Sequence, residues 1–144
     1  RTPAQAGVFL LWAVMIYSLL VLSSPASGQS AMTASRFAHA LLGRGHSIKR
    51  IFFLDAGVGN GLATAVFPQD EVDRLQPWVA LAQEHDVELV LCIASALKYG
   101  TLDETEARRH EKKAAPVHPA FTVSGLGQLV EAAATSDRLV TFGG

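Results

Sequence analysis

Short apolar runs alternate with amphipathic stretches along this chain. Ile16 to Leu22 reads IYSLLVL, Ile48 to Leu54 ends in contiguous Ile51-Phe52-Phe53-Leu54, and Val87 to Ile93 reads VELVLCI. Runs of this length and apolar density predict strands covered on both faces. Phe121-Thr122-Val123 and Arg138 to Phe142 predict two more, shorter strands. Between them, Ala31 to Gly43 places Met32, Phe37, Ala38, Leu41 and Leu42 near one helical face, and Gly43-Arg44-Gly45 stops that helix. Pro68-Gln69-Asp70-Glu71 predicts the start of a helical region. Pro77 predicts the first turn of another, which carries Trp78, Leu81 and Ala82 inward and closes at His85-Asp86. Ala94 to Tyr99 predicts a short helix closed by Gly100, Asp103 to Lys113 a charge-dense helix or exposed excursion, and Gly125 to Ala134 a last helix. Strands alternating with helices predict an α/β fold: a three-layer sandwich with a mostly parallel sheet of about five strands and helices on both faces.

The first apolar run is the ambiguous one. Val8 to Leu22 is an uncharged stretch preceded by Arg1 and followed by small residues at Ser23 to Gly28, which mimics a secretory leader. It is short for a membrane span, which needs about 20 apolar residues. The β-branched and aliphatic character of Ile16 to Leu22, followed by a loop and an amphipathic helix, predicts instead the first strand of the sheet. The expected organisation is an upstream extension over residues 1–14 and a single domain over 15–144.

Composition narrows the class. At 144 residues one domain is expected, and 49% hydrophobic against 17% charged residues excludes a disordered chain. A formal net charge of −1 leaves no global basic field for gripping a nucleic-acid backbone. One cysteine in the whole chain argues against a disulfide scaffold and fits a reducing, cytoplasmic compartment. High apolar content with few charges points toward subunit interfaces.

That cysteine, Cys92, stands at the C-terminal end of the third predicted strand, just before a predicted helix. Strand ends of parallel sheets are where ligands and reactive groups gather. A lone cysteine builds no internal disulfide and no metal cage; it acts as a nucleophile, carries sulfur, or fills the core. The thiolate is the nucleophile, and the first N–H groups of the following helix favour an anion there. Lys98 adds positive charge nearby but reads better as solvated. His39, His46, His85, His110 and His118 are scattered without metal-ligand spacing, so no metal is expected. A cysteine hydrolase would require His110 or His118 as its base. Asp103, Glu104 and Glu106 form an acidic cluster best read as a helix cap and first turn, with Arg108, Arg109, Lys112 and Lys113 following in the order the helix dipole favours. Asp55-Ala56-Gly57-Val58-Gly59-Asn60-Gly61 follows a strand but fits neither G-x-G-x-x-G nor a P-loop, so its glycines are read as supplying a turn or a close contact. No cofactor is expected.

Three segments carry a resemblance. The front formed by Met15 to Pro25 with Phe52 to Val58, then Cys92 to Ala107, then Phe121 to Phe142 resemble, in that order, the DsrE/TusD family of sulfur-relay proteins within the DsrE/DsrF-like superfamily. The resemblance implies a sulfurtransferase that accepts sulfane sulfur as a persulfide on Cys92. In the TusD branch it implies a TusA-like donor, a TusE-like acceptor and 2-thiolation of the tRNA wobble uridine. In the DsrE branch it implies sulfur oxidation with a DsrC-like acceptor. It also implies two related small subunits, TusB/TusC-like or DsrF/DsrH-like, in a dimer of heterotrimers, with no direct nucleic-acid or membrane contact. A non-catalytic oligomeric subunit of the same fold, with Cys92 buried, is the alternative of another class.

Overall fold

A computed structural model describes residues 14–143. The extension expected over 1–14 therefore lies, apart from Val14, outside the described residues. Five strands form one sheet: β1 (Ile16–Val21), β2 (Ser47–Phe53), β3 (Glu88–Cys92), β4 (Phe121–Ser124) and β5 (Arg138–Phe142). Their order is β4-β3-β2-β1-β5, and every neighbouring pair is parallel. The segment that mimicked the end of a leader, Ile16–Val21, is a central strand flanked by β2 and β5.

The helices are α1 (Ser30–Gly43), α2 (Gln76–His85), α3 (Ile93–Tyr99), α4 (Glu104–Arg109) and α5 (Gly127–Thr135), with a 3-10 helix over Asp55–Gly61. Strand order explains their placement. The chain steps from β1 to β4 in one direction and returns past β1 to place β5. Right-handed crossovers in opposite directions lie on opposite faces of a sheet. Thus α1 and α2 cover one face, and α5 covers the other.

The first face is a full core. Leu19, Val21, Ile51, Phe53, Leu89 and Leu91 point into it and meet Ala34, Ala38, Trp78 and Leu81 from the two helices. Trp78 and Phe53 meet edge to face at 5.0 Å. The second face has a small buried cluster, Phe52, Val90 and Cys92, against which Leu20, Leu54 and Leu129 pack.

One expected element is absent. Residues 62–75 carry no helix beyond an isolated bridge and turns, although Pro68-Gln69-Asp70-Glu71 predicted one. Their apolar residues have no helical period to bury, and Val66 is 91% exposed. The helix begins only at Gln76, where Asp73 Oδ1 accepts from the Leu75 and Gln76 N–H groups.

Candidate active site

Cys92 ends β3, aligned with Ser124 on β4, and is the residue from which α3 departs. Its side chain faces the α5 side of the sheet, because alternation sends Leu89 and Leu91 to the other core and Val90 and Cys92 to this one. It is 1% exposed. Cys92 is the N-cap residue of α3, at the helix end where the sequence placed it, and its thiol makes no capping hydrogen bond to the first turn. The thiol is closed off, under a cover that is thin. Leu129 reaches the cluster from α5, while Val130 on the same helix and Leu126 just before it are exposed.

The strand end is braced from the loop after β2. Ser95 Oγ accepts the Asp55 N–H at 2.9 Å, tying α3 to the start of the 3-10 helix. The glycines of that segment serve close approach within the chain. A Cβ on Gly57 would stand 2.1 Å from the Val21 carbonyl oxygen, and one on Gly61 would stand 2.8 Å from Leu91 Cδ1. Asn60 is buried there, donating to the Ser23 and Gly57 carbonyls and accepting from Trp78 Nε1.

Charge sits at the far end of α5. Arg50, 5% exposed, donates from Nε to Glu88 at 2.8 Å and from Nη1 to Glu131 at 3.0 Å and the Gln128 carbonyl at 2.9 Å. Lys49 Nζ donates to Glu131 at 2.7 Å and to Thr135 at 2.6 Å. These bonds from Lys49 and Arg50 hold the Glu131 carboxyl below the usual glutamate range. Burial works against the Arg50 charge, but its bonds to Glu88 and Glu131 outweigh this and raise its pKa. The network pins α5 to β2, and sequence reading passed over Arg50 altogether. The signal was there: a Lys-Arg pair inside an otherwise apolar strand.

The other expected groups fall elsewhere. Lys98 is exposed in the last turn of α3. Asp103 caps α4 by accepting the Glu106 N–H at 2.8 Å, as its order in the sequence predicted. Glu106, expected on a solvated acidic turn, is only 3% exposed; Oε1 accepts from Arg109, and Oε2 has no partner. Neither candidate base hydrogen-bonds Cys92. His118 Nδ1 accepts the Ala120 N–H, and its ring lies against Phe121 of the opposite core. His110 is exposed at the end of α4. The geometry therefore offers a lone thiol at a strand end, without a histidine beside it.

The DsrE/DsrF-like family profile matches residues 15–142, the whole sheet with all its helices. The chain belongs to this family. Relatives within it carry sulfur-transfer names. The putative sulfurtransferase DsrE of Allochromatium vinosum is 43% identical over 129 residues, covering 90% of this chain and 99% of that one. The sulfurtransferase TusD of Serratia proteamaculans is 45% identical over 129 residues, covering 89% and 100%. Among solved structures, the ychN protein of E. coli superposes with a TM-score of 0.69 at 18% identity, over 90% of this chain and all of that one, which establishes the shared α/β fold. The sulfur-transferase class expected from the sequence agrees with these names, and the family reading made from three segments extends over nearly the entire chain. No helix among the described residues is long and apolar enough to cross a membrane.

Proposed function

We propose that this protein is a sulfurtransferase in a sulfur relay, working in the manner of TusD, with Cys92 as the sulfur-bearing residue. The observation that carries the reading is the chain's sole cysteine at the C-terminal end of a central parallel strand, in a chain whose relatives are named sulfurtransferases. In the proposed step the Cys92 thiolate attacks the outer sulfur of a donor persulfide. A new S–S bond forms at Cys92, the donor's S–S bond breaks, and the donor thiolate leaves. No electrons are gained or lost overall. The Cys92 persulfide then meets an acceptor thiolate by the same exchange. The sulfur is proposed to arrive from a TusA-like donor and to leave to a TusE-like acceptor for wobble-uridine thiolation, in the cytoplasm. Related small subunits are proposed to complete the assembly, supported by the exposed apolar side chains Leu126, Val130 and Leu139.

Incubation with a cysteine desulfurase, cysteine and a TusA-type donor, followed by intact-mass measurement, tests the assignment. The expected result is a gain of one sulfur atom, reversed by reductant and absent from Cys92→Ser. Sulfur loading that persists on Cys92→Ser overturns it.

One observation favours a second reading, a non-catalytic subunit of the same fold: Cys92 is closed from solvent. Iodoacetamide separates the two. A relay cysteine labels in the folded protein near neutral pH, because transfer requires the cover over Cys92 to open; a purely structural one labels only on unfolding.

A further inference from the structure

A cavity of about 580 Å³ lies between α1 and α2 and the loop that enters α2. It is on the face of the sheet opposite Cys92, and its size falls in the range of small-molecule sites, about 300–1,000 Å³. Met32, Val72, Pro77 and Trp78 give it apolar walls. Arg36, His39, Asp73 and Arg74 are the ionisable groups facing it. Their commitments differ. Asp73 spends Oδ1 on the Leu75 and Gln76 N–H groups at the start of α2. His39 is bonded through Nε2 to the Pro77 carbonyl at 2.9 Å. Arg36 has no ion-pair or hydrogen-bond partner among the described residues. Arg74 lies with its guanidinium carbon 5.6 Å from the Phe67 ring centroid and donates through Nη1 to the Pro25 and Gly28 carbonyls. Its Nε–H is buried with no acceptor.

An exposed guanidinium with no partner among the described residues, as Arg36 has here, offers charge-assisted and bidentate hydrogen bonds to an incoming oxyanion. Two arginines against one engaged carboxylate set the sign of the ligand's charge. The walls set its body.

We propose that this cavity binds a small organic anion: an oxyanion headgroup held by the unpaired Arg36 guanidinium, with Arg74 adding positive charge from the wall, and an apolar body lying over Met32 and Trp78. The site is separate from the thiol. It uses none of the groups of the relay step, and its test reads binding without sulfur.

The experiment uses the full chain and the fluorescent probe 8-anilinonaphthalene-1-sulfonate, with decanoate and decanol as competitors. Decanoate displaces the probe, and decanol, the same tail without the charge, competes at least about tenfold less well. Arg36→Gln, a change at an exposed and unpaired side chain, weakens probe and decanoate together. Ala80→Phe, on the half-buried wall of α2, fills the cavity and removes binding while the circular-dichroism melt stays two-state. Cys92→Ser binds both as the unmodified chain does. Equal competition by decanol overturns the charge assignment. Probe binding that survives Ala80→Phe places the probe outside this cavity and overturns the site, as does failure of the chain to bind either compound.

Discussion

The two faces of the sheet are built to different standards. On the α1 and α2 side, eight buried strand residues and two helices form a core in which Phe53 is locked between Trp78 and Phe121. On the α5 side, three buried residues, one of them Cys92, lie under a nine-residue helix whose Val130, with Leu126 at its N-cap, is exposed. The first face makes the fold stable. The second buries its thiol in a small cluster to which the covering helix contributes Leu129 alone. Regions of low local stability are where proteins place moving parts, and the contrast assigns stability to one face and access to the other.

The sharpest way to break the contrast is at Trp78. Trp78→Ala opens a cavity in the full core and leaves Asn60 Oδ1 without its indole donor; the expected loss is about 3–5 kcal/mol by urea unfolding. The rate at which folded Cys92 reacts with iodoacetamide should not rise in proportion. A parallel rise would show that the two faces open as one. Next in size is Gly57→Ala. Its methyl would meet the Val21 carbonyl, a backbone atom that cannot step aside. The expected cost is about 1–3 kcal/mol, and a variant as stable as the parent would mean that the 3-10 helix is held loosely.

Leu129→Ala should invert the pattern. The side chain is only partly buried, so the stability cost is about 1 kcal/mol, but it is the α5 residue that packs on the Cys92 cluster. Iodoacetamide labelling of Cys92 should accelerate several-fold. Labelling unchanged by this substitution would move the cover elsewhere, to the β4–α5 turn.

The smallest effect is electrostatic. Glu131 is held below its ordinary value of 4.5 by Lys49 and then Arg50. Its contribution is therefore complete above pH 4.5 and disappears as pH falls through the lower folded value. Because the carboxylate is solvent-exposed, solvent screens the pair. Thermal melts of the parent and of Glu131→Gln should differ slightly at neutral pH and converge in acid. A gap that widens on acidification would contradict the assigned sign.

Much of this arrangement was legible in the chain. Strand positions follow from dense apolar runs, and α1 and α2 from helical period and the Pro77 and Gly43 signals. Cys92 stood out by being alone. What escaped reading depended on contacts distant in sequence. Arg50 is satisfied by Glu88 because β2 and β3 are in register at those two residues, and by Glu131 because α5 returns across the sheet. Neither fact is encoded near position 50. The closure of Cys92 is of the same kind, since strand alternation had to be combined with knowledge of which helix covers which face. Glu106 looked like one of three exposed acids, and only the packing of α4 distinguishes it. The helix expected from Pro68 failed for a local reason: a good N-terminal signal without an apolar face behind it.

The partnership of β1 with β5 also sets an order in time. Ile16 and Asp137 exchange hydrogen bonds at 2.7 Å across a sequence separation of 121 residues. Pairings so distant in the chain are slow to form. The strands β1 to β4, each beside its predecessor, can assemble as they leave the ribosome, and α1 and α2 close over them. The helix that shields Cys92, and the edge strand that anchors it, are synthesised after everything they cover. For the interval between those events the nascent chain carries its only thiol uncovered, so the Cys92 side is the last part of the molecule to become native.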